Sequence, residues 1–472
     1  MSPSASNPFV REAQSLQQAG IGNDAIEAWR ASMPRDTGDF TGDCARYAPF
    51  WAASAGMLAR LPAKPARSAE QADAAEHIKC VAREARTRFL SAHAGALYDR
   101  LTRSRTRVVR VEQLIYDAAV LVPGLTPTQA QVDAESALMQ RDKEGHEVDQ
   151  GIFVSSVLAD MRSGTHLCHA MLLPRTEALA QLPEYGKTGH LDLGGAEISR
   201  RGHASYVLQK NPRHLNAEDD TTIDAAEIAV DLAILDPQTQ IGVLRGDYVQ
   251  GGKYDGRRML GSGINLTHLY YGKIPFIWYL QRDLGIVNKF FRGVAREDMT
   301  PDDVNGQTIE KPWVAVVEQF AIGGHCQYLL TMDYVLAARG AFLSLPARKE
   351  GIIPGAANMR LPRFTGERIA RQAIMYERRL DCDSPEGRLI CDEIVEPADM
   401  DGAIERVVDN LTSSGVVSAA SNRRAFRVTQ EPLDLFRRYF ATYAREQAYC
   451  HFSPALISNL ERHWNAKNRS LD

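Results

Sequence analysis

The stretch FAIGGHCQYLL, residues 320–330, sets two glycines, a histidine, a cysteine and a glutamine between apolar runs, where a strand reads as turning into a helix. Glycine at a helix start admits a close backbone approach, and the N–H groups there together with the helix dipole favour negative charge. The pair Gly323–Gly324 therefore asks what comes so near the main chain that no side chain can stand there. Tight strand–helix packing is the alternative answer. Other residues with chemical capacity are scattered. Glu218 in LNAEDDTT reads by itself as one more acid before a helix N-terminus, and Arg282 in YLQRDLG as a solvated helix charge. His166, Cys168 and His169 form the cluster THLCH, whose spacing matches neither H-E-x-x-H nor a facial triad, so packing or surface is the expectation and no metal site is assigned. No G-x-G-x-x-G follows a strand to hold a flavin or nicotinamide dinucleotide.

Composition narrows the classes. The 472 residues are 44% hydrophobic and 24% charged, as in an ordinary globular chain with ample core, and this length suits one large domain plus a smaller one. A net charge of -4 supplies no basic field for nucleic acid. The seven cysteines are odd in number and never form C-x-x-C, which fits a reducing cytoplasm. The start MSPSASNPFVREAQ lacks a signal-peptide layout, and no run of about 18 apolar residues offers a membrane span.

The elements that must position these residues fall into two styles. Residues 1–187 read as a helical N-terminal domain, with PARSAEQADAAE as a polar connection into the helix AEHIKCVAREARTRFLSAHAGALYDRLTR, and a Thr N-cap in PGLTPTQAQVDAES. From 188 to 440 short β-rich runs alternate with helices, which argues for an α/β core. Strands are expected at EISRRGHASYVLQKN, IGVLRG, KPWVAVVEQFAI and YVLAARGAFLSLP, with helices between and after them. Residues 441–472 read as a C-terminal helical tail.

Four segments of this second part, in order, resemble the crotonase (enoyl-CoA hydratase/isomerase) superfamily: VLQKNPRHLNAED, GSGINL, AIGGHCQYL and EGIIPGAANMRLPR. The resemblance implies a crotonase-like ββα spiral core after the helical N-terminal domain. It also implies a CoA thioester whose carbonyl oxygen is held, as negative charge develops, by the N–H groups of Ile264, after the Ser262–Gly263 turn, and of Gly324. The family's hydratases carry two glutamates where this chain has Gln327 and Ala347, and neither of these can serve as acid or base. Glu350 stands nearby but out of place, and is read as structural or surface.

The longer segments KPWVAVVEQFAIGG, GINLTHLYYGKIPFIWYLQRDLGIVNK and EGIIPGAANMRLPRFTGERIARQAI are similar to one branch of that superfamily, the (3,5-dihydroxyphenyl)acetyl-CoA 1,2-dioxygenases. That branch takes an arylacetyl-CoA and O2 to the aryl glyoxylate and CoA with no metal or flavin cofactor, chemistry suited to dihydroxyphenylglycine and antibiotic biosynthesis. By the same match, Ile264, Gly324 and Gln327 are the catalytic positions. Glu218, Arg282, Gly263 and His325 are the substrate-binding ones, with Glu218 on a ring hydroxyl. His325 departs from the family's small residue. It is expected either to enter the pocket, as an obstruction or a base, or to face away from it. The base for the Cα proton stays unassigned. The helical domain is expected to act as a lid, Arg245 or Lys253 to be available to CoA phosphates, and the chain to form a homotrimer or hexamer through C-terminal helices such as EPLDLFRRYFATYAREQ. A hydrolase, isomerase or hydratase of the same fold is the alternative, and a non-catalytic acyl-CoA-binding scaffold a further one.

Overall fold

A computed structural model describes residues 15–302, 304 and 306–471. The first part is helical, including α1 (Phe40–Leu58), α2 (Ala69–Leu101), α3 (Val148–Ala159) and α4 (Met161–Leu172). α2 starts earlier than the expected connection allows. The Ser68 side chain accepts from the Gln71 N–H and the Gln71 side chain reaches back, so a capping box fixes the helix start inside that polar segment. The Thr cap expected in PGLTPTQAQVDAES is Thr128, which accepts from the Gln131 N–H. α3 and α4 part at Asp160, whose carboxylate caps the Ser163 N–H. No described helix is long and apolar enough to cross a membrane.

The helices give way to strands between the helix Thr176–Thr188 and β1 (His190–Asp192). β2 (Ala196–Arg201) and β3 (Ala204–Gln209) follow, then α5 (Ile223–Leu235), β4 (Ile241–Gly246) and α6 (Leu266–Tyr270). Next is a long interrupted helix, Ile277–Gln281 running through a π-turn, Arg282–Ile286, into Val287–Arg292. β5 (Trp313–Val317), β6 (Phe320–Ile322), α7 (Gly324–Leu329), β7 (Tyr334–Ala338), β8 (Phe342–Ser344), α8 (Ala357–Tyr376), β9 (Leu380–Asp381), β10 (Glu393–Val395) and α9 (Leu433–His451) complete the frame.

The main sheet has the order β1-β2-β3-β4-β5-β7-β10, antiparallel at β1–β3 and parallel from β3 onward. Every residue of β3 and β4 is buried, as expected for strands covered on both faces. A smaller sheet has the order β9-β8-β6. KPWVAVVEQFAI, expected as one strand, is therefore two: the chain turns at Gln319, whose φ is 62°, and passes from one sheet to the other. β7 and β8 repeat the step. Each passage gives a strand to each sheet and then a helix.

α9 runs through the expected boundary at 440. Its buried stripe of Phe436, Phe440, Tyr443, Ala444 and Ala448 continues across that point. It packs on α3, where a Cβ at Gly151 would stand 2.7 Å from the Ala444 carbonyl oxygen, so glycine permits the close crossing. This apolar stripe is used inside the chain, while Leu435 and Tyr449 on the same helix stay exposed. A single cluster of buried side chains runs from Leu16 to Ala466 and joins the helical part to the sheets.

Candidate active site

Two glycine turns meet backbone to backbone. At the end of β6, Gly323 takes φ 54° and ψ −117°, a conformation that suits glycine, and its N–H donates to the Ser344 carbonyl over 2.8 Å. Gly324 then opens α7, so its own N–H has no acceptor within the helix. At the other turn Gly263 has φ 84°. Its carbonyl accepts from the Glu218 N–H at 2.8 Å, and the Asn265 N–H donates to the Glu218 carbonyl at 2.8 Å, which leaves the Ile264 N–H pointing the other way. Among the described residues neither the Ile264 nor the Gly324 N–H has a protein acceptor. A Cβ on Gly263 would lie 3.2 Å from the Gly324 nitrogen, so the two turns touch.

Arg282 sits at the start of the π-turn, and its guanidinium ties the surroundings together. Nε donates to Glu218 Oε1 at 2.8 Å, and Nη1 to Asp283 Oδ1 at 2.8 Å and Gln327 Oε1 at 2.9 Å. Nη2 donates to the Gly324 carbonyl at 2.7 Å. Tyr328 also donates to Glu218 Oε1. Burial raises the Glu218 carboxyl, but Arg282 beside it wins and holds it below the ordinary value. Asp283 shares the same cation, and there burial wins, pushing its carboxyl up. Among the described residues Glu218 Oε2 is buried without a partner. It occupies the space that a Gly324 side chain would need, which answers why that position is glycine.

The structure sets His325 behind the turn and out of the pocket lining. Its Nδ1 accepts the Gly263 N–H at 3.0 Å, which leaves the proton on Nε2, and the ring packs against Gly261 where no Cβ would fit. Burial, helped by Arg282, depresses the imidazole to about 4, so it is neutral. Of the two placements expected for His325, the structure has the ring facing away from the pocket, where it supports the Gly263 turn and is not in the substrate-binding position.

Glu218, Ile264, Arg282, Gly324 and Gln327 line one pocket with about 410 Å³ of atom-free space, its open mouth included. Trp278 and Tyr279 from the interrupted helix, Leu345, Ala347, Gly355 and Tyr443 of α9 complete much of its wall. Three features were not legible as site residues. Asp283 and Tyr328 enter through the Arg282–Glu218 network, and Glu350, read from sequence as structural or surface, lines the pocket. Burial, with Glu377 nearby, raises the Glu350 carboxyl to about 7. The signal available for it was its i,i+3 spacing from Ala347.

Several expectations away from the pocket are also resolved. Arg245 is held by Glu318 at 2.9 and 2.7 Å and by Asp401 at 2.6 Å, so three of its five donors are engaged by carboxylates. Lys253 lies over the Tyr254 ring. His166 bonds the Tyr98 hydroxyl at 2.7 Å, His169 meets the Arg296 carbonyl at 3.1 Å, and Cys168 is buried between them. All seven cysteines are free thiols.

The sequence pattern of the enoyl-CoA hydratase/isomerase family matches residues 288–441. The (3,5-dihydroxyphenyl)acetyl-CoA 1,2-dioxygenase of Amycolatopsis orientalis is 46% identical over 393 residues, covering 83% of this chain and 89% of that protein. The chain belongs to the enoyl-CoA hydratase/isomerase, or crotonase, family. More distant relatives align over little more than half of the chain. The carnitinyl-CoA dehydratase of Escherichia coli strain K12 is 22% identical over 248 residues, 51% of this chain and 84% of that one. The enoyl-CoA hydratase structure from Bacillus halodurans, 15% identical, covers 57% of this chain and 100% of its own with a TM-score of 0.48. The chain is thus a crotonase-family enzyme with a helical region ahead of the family core.

Proposed function

We propose that this enzyme converts (3,5-dihydroxyphenyl)acetyl-CoA and O2 to (3,5-dihydroxyphenyl)glyoxylate and CoA without metal or flavin. One observation carries the reading. A single pocket wall presents two unpartnered N–H groups, of Ile264 and Gly324, next to an unpartnered buried carboxylate oxygen of Glu218. The first pair suits a thioester oxygen that becomes an enolate, each donor contributing about 3 to 4 kcal/mol to the transition state. The second suits a ring hydroxyl that donates a hydrogen bond. The identity to a dioxygenase of that substrate supports the same assignment.

In this reading Glu218 Oε2 accepts from the resorcinol ring. Arg282 is a positioning residue, since its donors already reach Glu218, Asp283, Gln327 and the Gly324 carbonyl. Gln327 is fixed by that contact at the pocket wall. Loss of a Cα proton gives the enolate, which passes an electron to O2 and recombines as a Cα peroxide. The peroxide attacks the thioester carbonyl and expels CoA, and the second Cα proton leaves as the O–O bond breaks. Cα loses four electrons and O2 takes four, so no further reductant enters. Assembly belongs to the same reading. Val417 and Phe426, exposed on the helix Val416–Gln430, and Leu435 and Tyr449 on the exposed face of α9 supply apolar surface for a trimer or hexamer.

The test is O2 uptake by metal-stripped, flavin-free protein given (3,5-dihydroxyphenyl)acetyl-CoA, with products weighed by mass spectrometry. One O2 consumed per CoA released, with aryl glyoxylate formed, is the expected result. CoA release with no O2 uptake identifies a hydrolase and removes the proposal.

A further inference from the structure

We infer that Glu350 is the base that takes the Cα proton, an inference that rests on the reaction proposed above. Glu350 ends the short helix Ala347–Glu350, and its i,i+3 relation to Ala347 turns both residues to one face; both line the pocket that Ile264 and Gly324 line. Only 8% of Glu350 is exposed, yet its carboxylate has no hydrogen-bond or ion-pair partner among the described residues. A buried carboxylate left without donors costs stability, and such groups concentrate where a site uses them.

The other polar groups around the pocket are less suited. Glu218 already accepts from Arg282 and Tyr328 and is held in its weakly basic, ionised form. Asp283 is bound to Arg282, and Gln327 has no basic oxygen of use. The Tyr279 and Tyr443 phenols are pushed upward by burial and stay protonated. His325 is spent on Gly263 behind the turn. Glu350 alone among the lining carboxylates keeps both oxygens open, and its value of about 7 matches a base working at neutral pH.

The step balances within the pocket. A Glu350 oxygen takes the proton, the Cα–H bond breaks, and its electron pair moves through Cα to the thioester oxygen facing the Ile264 and Gly324 N–H groups. Glutamic acid and an enolate result, and no oxidant is needed.

This isolates the test from oxygen chemistry. Under anaerobic conditions in D2O, wild-type protein should exchange the Cα hydrogens of (3,5-dihydroxyphenyl)acetyl-CoA for deuterium, read by mass. Glu350→Gln should slow this by about 100-fold or more while still binding the thioester. Exchange by Glu350→Gln within about threefold of wild type overturns the inference. Should Glu350→Gln not fold, Glu350→Asp takes its place. It must exchange more slowly with a displaced pH profile, and a wild-type rate and profile overturn the inference equally. Wild-type exchange without aerobic O2 uptake sinks the oxygenase reading and leaves the base standing. Undiminished O2 uptake by Glu350→Gln does the reverse.

Discussion

Glu218 shows how unequal the two oxygens of one carboxylate can be. Oε1 takes donors from Arg282 and Tyr328, while Oε2 is sealed from solvent with none. A ligand that brings a hydroxyl to Oε2 gains a hydrogen bond to a charged acceptor, worth about 1.5 to 3 kcal/mol. Glu218→Gln should therefore lower kcat/KM for the dihydroxy thioester by roughly 10- to 100-fold and affect phenylacetyl-CoA far less. Equal losses on both substrates would show that Glu218 does not read the ring. Arg282→Ala leaves Glu218 buried without its cation and should cost about 3 to 5 kcal/mol of stability, read by urea unfolding. Glu350 carries the pH prediction. Its carboxyl is raised from 4.5 to about 7, so the active base appears, and Cα exchange rises, as pH increases through about 7. The sign for stability is opposite. The folded state favours the protonated form, so stability present below 4.5 is lost as pH climbs through about 7. Glu350→Gln, which cannot ionise, should gain on wild type between pH 5 and 8 by up to roughly 3 kcal/mol, and a pH-independent difference in unfolding would contradict the burial of its charge.

At the scale of elements, the glycines that open α7 have separate duties. Gly323 supplies a positive φ, whereas Gly324 opens the helix and its missing Cβ makes room for Glu218 Oε2 and for Arg282 Nη2, which would lie 2.8 Å away. Gly324→Ala should thus fold with α7 intact by circular dichroism but lose about 100-fold or more in turnover, because the carboxylate and guanidinium must move. Turnover near wild type would show the network is more yielding than its packing. Both turns were legible in sequence, because glycine spacing before a helix reports backbone needs that are local. His325 and Asp283 were not. His325 sits in the same decapeptide as Gly324, yet whether its ring faces the pocket depends on Gly261, 64 residues earlier, which leaves room for it. Asp283 gains its place from the chain's approach of Arg282 to Gln327, which no spacing encodes. Glu350 stands out of register with Gln327 and Ala347 in sequence, and only the helical face it shares with Ala347 brings it to the pocket.

Over the whole molecule, the alternation of strands and helices after residue 190 was readable because each element carries its own period. The division into units was less so. Composition changes where helices yield to strands, but the buried cluster ignores that change, and α9 lies on α3 while lending Tyr443 to the pocket. Removing residues 1–187 would strip α3 from α9 and expose Phe440, Ala444 and Ala448, a face with no polar substitute. The truncated chain should bind a hydrophobic dye and unfold without a cooperative transition, whereas a sharp thermal transition would show that the core stands alone.

The π-turn at 282–286 holds one residue more than an α-helix needs over that span. Such a turn is the structural trace of a single inserted residue, and losing that residue would rotate Arg282 relative to Val287–Arg292 by about 100°. The guanidinium that binds Glu218, Asp283, Gln327 and Gly324 is consequently one codon away from facing elsewhere. Divergence of this site toward another thioester is open to a small deletion in the gene, a route that scanning by substitution alone does not sample.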